Sequence, residues 1–203
     1  MKTRAILSDA GGILFDDHPA KLKEYSFLSQ NLDQAPSYRE FMDAYHSHKQ
    51  KAQTNPDYSK NQAFLEYLTS LGLERLREDF LKYSRDYDLK LKEQASELVF
   101  PGTRETLREL KNKSIEFIVL TDATRSARQS IEDFYQPAGL SEYFTDIIAS
   151  SDIGVKKPNP LFFQYALDKH KLKVEESFFV AHDWDEIKGG HDFGLKVVAY
   201  RYK

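Results

Sequence analysis

The chain has 203 residues, room for one large domain or a core with a smaller insertion, and its 40% hydrophobic content is enough to bury a core. A net charge of −3 without a concentrated Lys/Arg block argues against nucleic acid as the main partner and favours a small molecule. No cysteine is present, which excludes disulfides, thiolate zinc sites and a cysteine nucleophile. The apolar run Ala5-Ile6-Leu7 is too short for a signal segment and no stretch could span a bilayer, so a soluble cytoplasmic protein with no membrane partner is expected.

Ala5 to Leu7 reads as a short buried strand closed by Ser8-Asp9, and Gly11-Gly12 as a tight turn where backbone approaches something closely. From Asp17 to about Leu98 the chain is highly charged, with apolar residues at helical spacing: Tyr38, Phe41, Met42 and Tyr45, then Phe64, Leu65 and Leu68, then Leu76, Phe80 and Tyr83. Three or four amphipathic helices and no strand are expected there. After Phe100-Pro101-Gly102 strands and helices alternate. A helix over Thr103 to Lys111 leads to the run Phe117-Ile118-Val119-Leu120, closed by Thr121; a helix around Ser126 to Tyr135 and a strand Ile147-Ile148-Ala149 follow. A helix starts near Pro160, the run Phe178 to Ala181 leads to His182-Asp183, a short helix follows, and Lys196 to Tyr200 forms a last strand. Such alternation implies an α/β fold with a Rossmann-like parallel sheet covered on both faces. Strand 1 must join that sheet across the helical segment, giving a core of residues 1–16 and 99–203 and an inserted all-α cap over 17–98.

In open parallel sheets ligands bind beyond the carboxyl ends of the strands, where Asp9, Thr121 and Asp183 would converge with Lys157. The segment Asp9-Ala10-Gly11-Gly12-Ile13-Leu14-Phe15-Asp16 resembles the first motif of the haloacid dehalogenase-like (HAD) hydrolase superfamily. Phe100-Pro101-Gly102-Thr103 with Leu107 and Leu110 is similar to the helix before its second motif, and Thr121-Asp122 to that motif. Gly154 to Pro160 resembles the third, and Ala181-His182-Asp183 through Gly189-Gly190 and Gly194 the fourth. The order covers the whole core and leaves the insertion as a cap between motifs one and two.

The resemblance implies that Asp9 is a nucleophile forming an aspartyl-phosphate, a route that divides one hard displacement into two easier ones. Lys157, the Thr121 hydroxyl and backbone N–H groups at Gly11 and Gly12 are suitable partners for phosphate charge, and Asp122 stands beside them as a further substrate contact. Asp9 and Asp183, with Asp185 and Glu186 close by, would repel one another and a phosphate unless a hard cation intervened. Magnesium is therefore expected, held by Asp9, Asp183 and the Gly11 carbonyl. Which of Asp185 and Glu186 assists is open, because the fourth motif is compressed.

Gly11 is a departure: most phosphatases of this superfamily carry an acid/base aspartate there, and losing a general acid typically costs about 10²- to 10⁴-fold. Three readings stay open: a magnesium-dependent phosphatase of a small phosphorylated metabolite in which another group moves the proton, a metal-independent dehalogenase, and a feeble or non-catalytic interaction protein. His182 is either a substitute proton carrier or a packed histidine. Arg39 reads as a helix charge, His46 and His48 as solvated, since residues two apart do not share a helix face, and His18 as a hinge residue. Tyr38, Phe41 and Tyr45 read as cap core, Lys156 as a solvated neighbour of Lys157.

Overall fold

The computed structural model describes residues 2–55 and 57–201. Five parallel strands form one sheet in the order β3-β2-β1-β4-β5: β1 (Ala5–Ser8), β2 (Glu116–Thr121), β3 (Asp146–Ala149), β4 (Ser177–Ala181) and β5 (Lys196–Ala199). β1 is central, pairing Leu7 with Ile118 of β2 and with Phe179 of β4. After β1 the chain builds outward through β2 and β3, then crosses back to β4 and β5. The strand order therefore reverses beside β1, and the crevice at its carboxyl end is where such sheets hold ligands.

Strand alternation divides the apolar residues between two faces. Ile118 and Leu120 join Phe162, Phe163 and Phe179 on one face, while Phe117 and Val119 join Leu107, Tyr135 and Leu140 on the other. The covering helices are α5 (Thr103–Asn112), α6 (Ala127–Ser130), α7 (Ser150–Ile153), α8 (Pro160–Lys169) and α9 (Trp184–Phe193). The segment expected as one helix to Tyr135 is α6 followed by a wider turn over Ile131–Tyr135, closed by Gln136 N–H donating to Ile131 C=O at 2.9 Å.

Between β1 and α5 lie four longer helices: α1 (His18–Asn31), α2 (Tyr38–Thr54), α3 (Lys60–Ser70) and α4 (Arg77–Glu93). Ser37 and Ser59 start α2 and α3 with capping boxes closed by Glu40 and Gln62. These helices bury an apolar cluster of their own, with Phe27, Phe41, Tyr45, Phe64, Leu68 and Phe80 at its centre. Phe64 and Phe80 meet ring to ring at 4.3 Å between centroids. The periodic positions from Tyr38 onward match this core. α1 is less legible because Lys23 and Glu24 are among its buried residues, paired with Asp88 at 2.9 Å and with Lys60 at 3.1 Å.

Candidate active site

Asp9 follows β1 directly, and its N–H donates to Val180 C=O at 2.9 Å, which extends the sheet by one residue and fixes the side chain at the crevice floor. The turn after it is held by Gly12, whose φ of 76° is left-handed and whose N–H donates to Phe15 C=O at 2.9 Å. That N–H is thus spent within the turn and does not serve as the anion donor expected of it. Gly11 has no space for a side chain: a Cβ there would run into the Asp17 carboxylate. Asp17, at the entry to α1, lines the cavity and pairs with Lys21 at 2.7 Å.

Lys157 reaches the floor from the loop after α7. Its side chain is fully buried, and Nζ lies 2.7 Å from Asp9 Oδ1 and 3.0 Å from Glu186 Oε2. Its backbone N–H donates to Asp122 Oδ1 at 3.1 Å. Asp122 therefore positions the lysine loop, and its carbonyl accepts from Gln53 of α2 at 3.0 Å, tying the helical insertion to the crevice. Thr121 closes β2 with its hydroxyl hydrogen-bonded to buried Tyr135. So Asp9, Thr121, Asp122 and Lys157 come together as expected.

The fourth motif is placed differently. Asp183 is exposed and begins α9, accepting from Asp185 N–H at 2.9 Å, the usual work of an aspartate N-cap. Asp185 points away, into a shallow depression with Pro158 and Lys188. Glu186 is the acid that enters the site, and His182, one residue before Asp183, faces the nucleophile candidate with Nδ1 at 3.2 Å from Asp9 Oδ2. Among the described residues no three His, Asp or Glu side chains converge as a metal-holding group. Both Asp9 oxygens face protein nitrogens, and Asp183 Oδ1 caps α9. Asp9, Gly11 and Asp183, the donors expected for magnesium, line one cavity, but with a protein nitrogen on each Asp9 oxygen the arrangement does not fit that ion.

Electrostatics divide the two carboxylates on Lys157. Burial works to raise Asp9, but the Lys157 charge and hydrogen bonds from His182 and Lys157 outweigh it and hold the group at about 2. Burial pushes Glu186 up to about 7, with Asp9 and Asp122 adding to the rise and Lys157 opposing it. Lys157 is raised despite its own burial, by Asp9, Glu186 and Asp122. His182 is also raised, first by its hydrogen bond to Asp9. The result is an ionised carboxylate beside a second carboxyl that can carry a proton near neutrality.

Above this floor lies a cavity of about 760 Å³ walled by the strand ends and by Lys21, Lys49, Gln53 and Arg85 of the inserted helices. Lys49 and Gln53 lie four apart on one face of α2, a spacing that could have marked them in the sequence. Asp17 and Tyr135 carried no such signal. Arg39 and His46 are exposed, His48 lies 3.8 Å from Glu66, and none of these nor His18 reaches the cavity.

Residues 37–200 match the family model of the haloacid dehalogenase-like hydrolases. Pyrophosphatase PpaX of Bacillus cereus is 31% identical over 127 residues, 63% of this chain and 55% of that protein. The phosphoglycolate phosphatase of Vibrio vulnificus is 25% identical over 104 residues, 51% of this chain and 44% of that protein. The glyceraldehyde 3-phosphate phosphatase of Methanocaldococcus jannaschii is 31% identical over 110 residues, 51% and 46% of the two chains. The chain spans about half the length of the curated relatives it matches. Among solved structures, a HAD-superfamily hydrolase of subfamily IA from Geobacter sulfurreducens superposes with a TM-score of 0.64 at 21% identity, covering 98% of this chain and 87% of that one. The L-2-haloacid dehalogenase of Xanthobacter autotrophicus superposes at 0.63 with 20% identity, covering 97% and 77%. These two likenesses establish the fold. With a family model running through four fifths of its length and the motif residues gathered at the strand ends, the chain belongs to the haloacid dehalogenase-like hydrolases.

Proposed function

We propose that the chain hydrolyses a small phosphorylated metabolite through an aspartyl-phosphate on Asp9. The observation that carries this reading is the buried Asp9–Lys157–Glu186 group beneath a cavity of metabolite size at the sheet's switch point. The phosphatase names of the curated relatives support it. An Asp9 oxygen attacks phosphorus, the bond from phosphorus to the leaving oxygen breaks, and the alcohol departs with a proton. Water then attacks the phosphorus of the acyl phosphate, releasing phosphate and restoring the Asp9 carboxylate. Lys157 and the Thr121 hydroxyl offset the charge on the transferring group. Glu186, poised at about 7, is a proton-carrying group within the same cluster.

Residues 17–98 act in this reading as a cap over the core of 1–16 and 99–203, closing the cavity during turnover, with Gln53 as the link between the two. Magnesium, expected from the sequence, would require Asp9 Oδ2 to exchange its present partner His182, and no step is assigned to it. A second reading, attack of Asp9 on a carbon–halogen bond, is favoured by one observation, that a protein nitrogen faces each oxygen of the carboxylate.

The test is phosphate release from acetyl phosphate and para-nitrophenyl phosphate, and halide release from chloropropionate, by wild type and Asp9→Asn. Phosphate release abolished in Asp9→Asn is the expected result. Equal phosphate release by both proteins would overturn the reading, and Asp9-dependent halide release would replace it with the second.

A further inference from the structure

We infer that His182 takes the place of a divalent cation on Asp9, so that the carboxylate is held wholly by protein nitrogens and this chain binds no magnesium ion there. The inference rests on the reading of Asp9 as the reacting carboxylate and is independent of the bond it attacks.

Lys157 Nζ holds Asp9 Oδ1 at 2.7 Å, and His182 Nδ1 stands 3.2 Å from Oδ2. A carboxylate only accepts, so Nδ1 carries the hydrogen and donates. Gly12 lies on the ring's other side, where an added Cβ would stand 2.9 Å from Nε2. The imidazole therefore occupies the side of Asp9 that faces away from Lys157, the side left for an ion. Magnesium also requires several oxygen ligands in near-octahedral order. One oxygen of each nearby acid is engaged, Glu186 Oε2 with Lys157 Nζ, Asp122 Oδ1 with Lys157 N–H and Asp183 Oδ1 with Asp185 N–H. An ion on Oδ2 would have to expel the ring.

Calorimetric titration of the whole chain with millimolar magnesium alone tests this without any substrate, so failure of the phosphatase reading and failure of this inference remain separate. Wild type is expected to give no saturable heat. His182→Asp, which puts a carboxylate where the ring lies, is expected to gain saturable uptake of one ion per chain, lost again when Asp9→Asn is added. Saturable binding to wild type that Asp9→Asn removes would overturn the inference, as would a folded His182→Asp that takes up no ion. Should that variant fail to fold, the imidazole nitrogen resonances of wild-type His182 decide the matter: magnesium leaves them unmoved if the inference holds, and a shift at Nδ1 overturns it.

Discussion

Replacing Lys157 by methionine keeps the length of the side chain and removes the charge that holds two buried carboxyls together. At an effective dielectric near 20, its attraction is about 6 kcal/mol to Asp9 at 2.7 Å and about 5.5 kcal/mol to an ionised Glu186 at 3.0 Å. Desolvation of the ammonium offsets part of this, and removing one member of a buried ion group costs about 3–5 kcal/mol net. That is a large share of the roughly 5–15 kcal/mol that stabilises a folded protein. With the lysine gone, burial and mutual repulsion raise the carboxyl pKa values above those of the unfolded chain. The folded variant then binds the extra proton, so its stability falls as pH rises, each unit of upward shift being worth about 1.4 kcal/mol. In wild type Asp9 behaves oppositely: its depressed value contributes stability above the unfolded pKa, lost as pH falls toward about 2. Urea unfolding of both proteins at about pH 8 and about pH 5 measures the difference, which should be largest at the higher pH and shrink at the lower. A loss below about 1 kcal/mol, or one equal at the two pH values, would refute the reasoning.

Gly12→Ala places a side chain at a φ of 76° and against His182, and should lower stability by about 1–2 kcal/mol while cutting turnover; an unchanged melting curve would contradict the turn geometry. Phe64→Ala, at the centre of the helical insertion, should cost about 3–5 kcal/mol in denaturant unfolding, and a cost under about 1 kcal/mol would show that the insertion is not packed around that ring. Although burial pushes the Asp146 carboxyl up, hydrogen bonds from Lys169 and His170 hold it below 3.8, so its contribution is present above that value and lost as pH falls through the folded pKa. Asp146→Asn should therefore flatten the acid side of a plot of melting temperature against pH, and an unaltered acid side would count against the linkage.

The strand ends were readable because each apolar run stops at a polar residue, and a parallel sheet brings such ends to one edge. Asp9 and Thr121 followed from that rule, and Lys157 from its motif. The rule is incomplete at β4, where Asp183 lines the crevice but the group facing Asp9 Oδ2 is its neighbour His182. Adjacent residues at a strand end point different ways, and an aspartate preceding a helix is equally suited to capping it, as Asp183 does. Composition alone does not separate those two uses. Asp17 was hidden for another reason: its place over Gly11 depends on the path of the chain into α1, which no local pattern encodes. Lys23 and Glu24 obscured α1 because buried charges with partners on other helices look, in sequence, like a solvated face.

The central position of β1 bears on the order in which the molecule assembles. Its first ladder partner, Glu116 opposite Ala5, is more than half the chain away, and Ser177, on the other side, is further still. The loop-closure entropy of those pairings must be met before they return any stabilisation. During synthesis β1 emerges before its ladder partners and waits, while the helices behind it already possess an apolar cluster of their own to collapse around. The amide of Phe64 should accordingly gain protection from exchange before that of Leu7. Until β2 and β4 arrive, the hydrophobic segment ahead of Asp9 remains an unpaired strand, and the interval in which it is exposed to wrong partners is set by the length of the insertion.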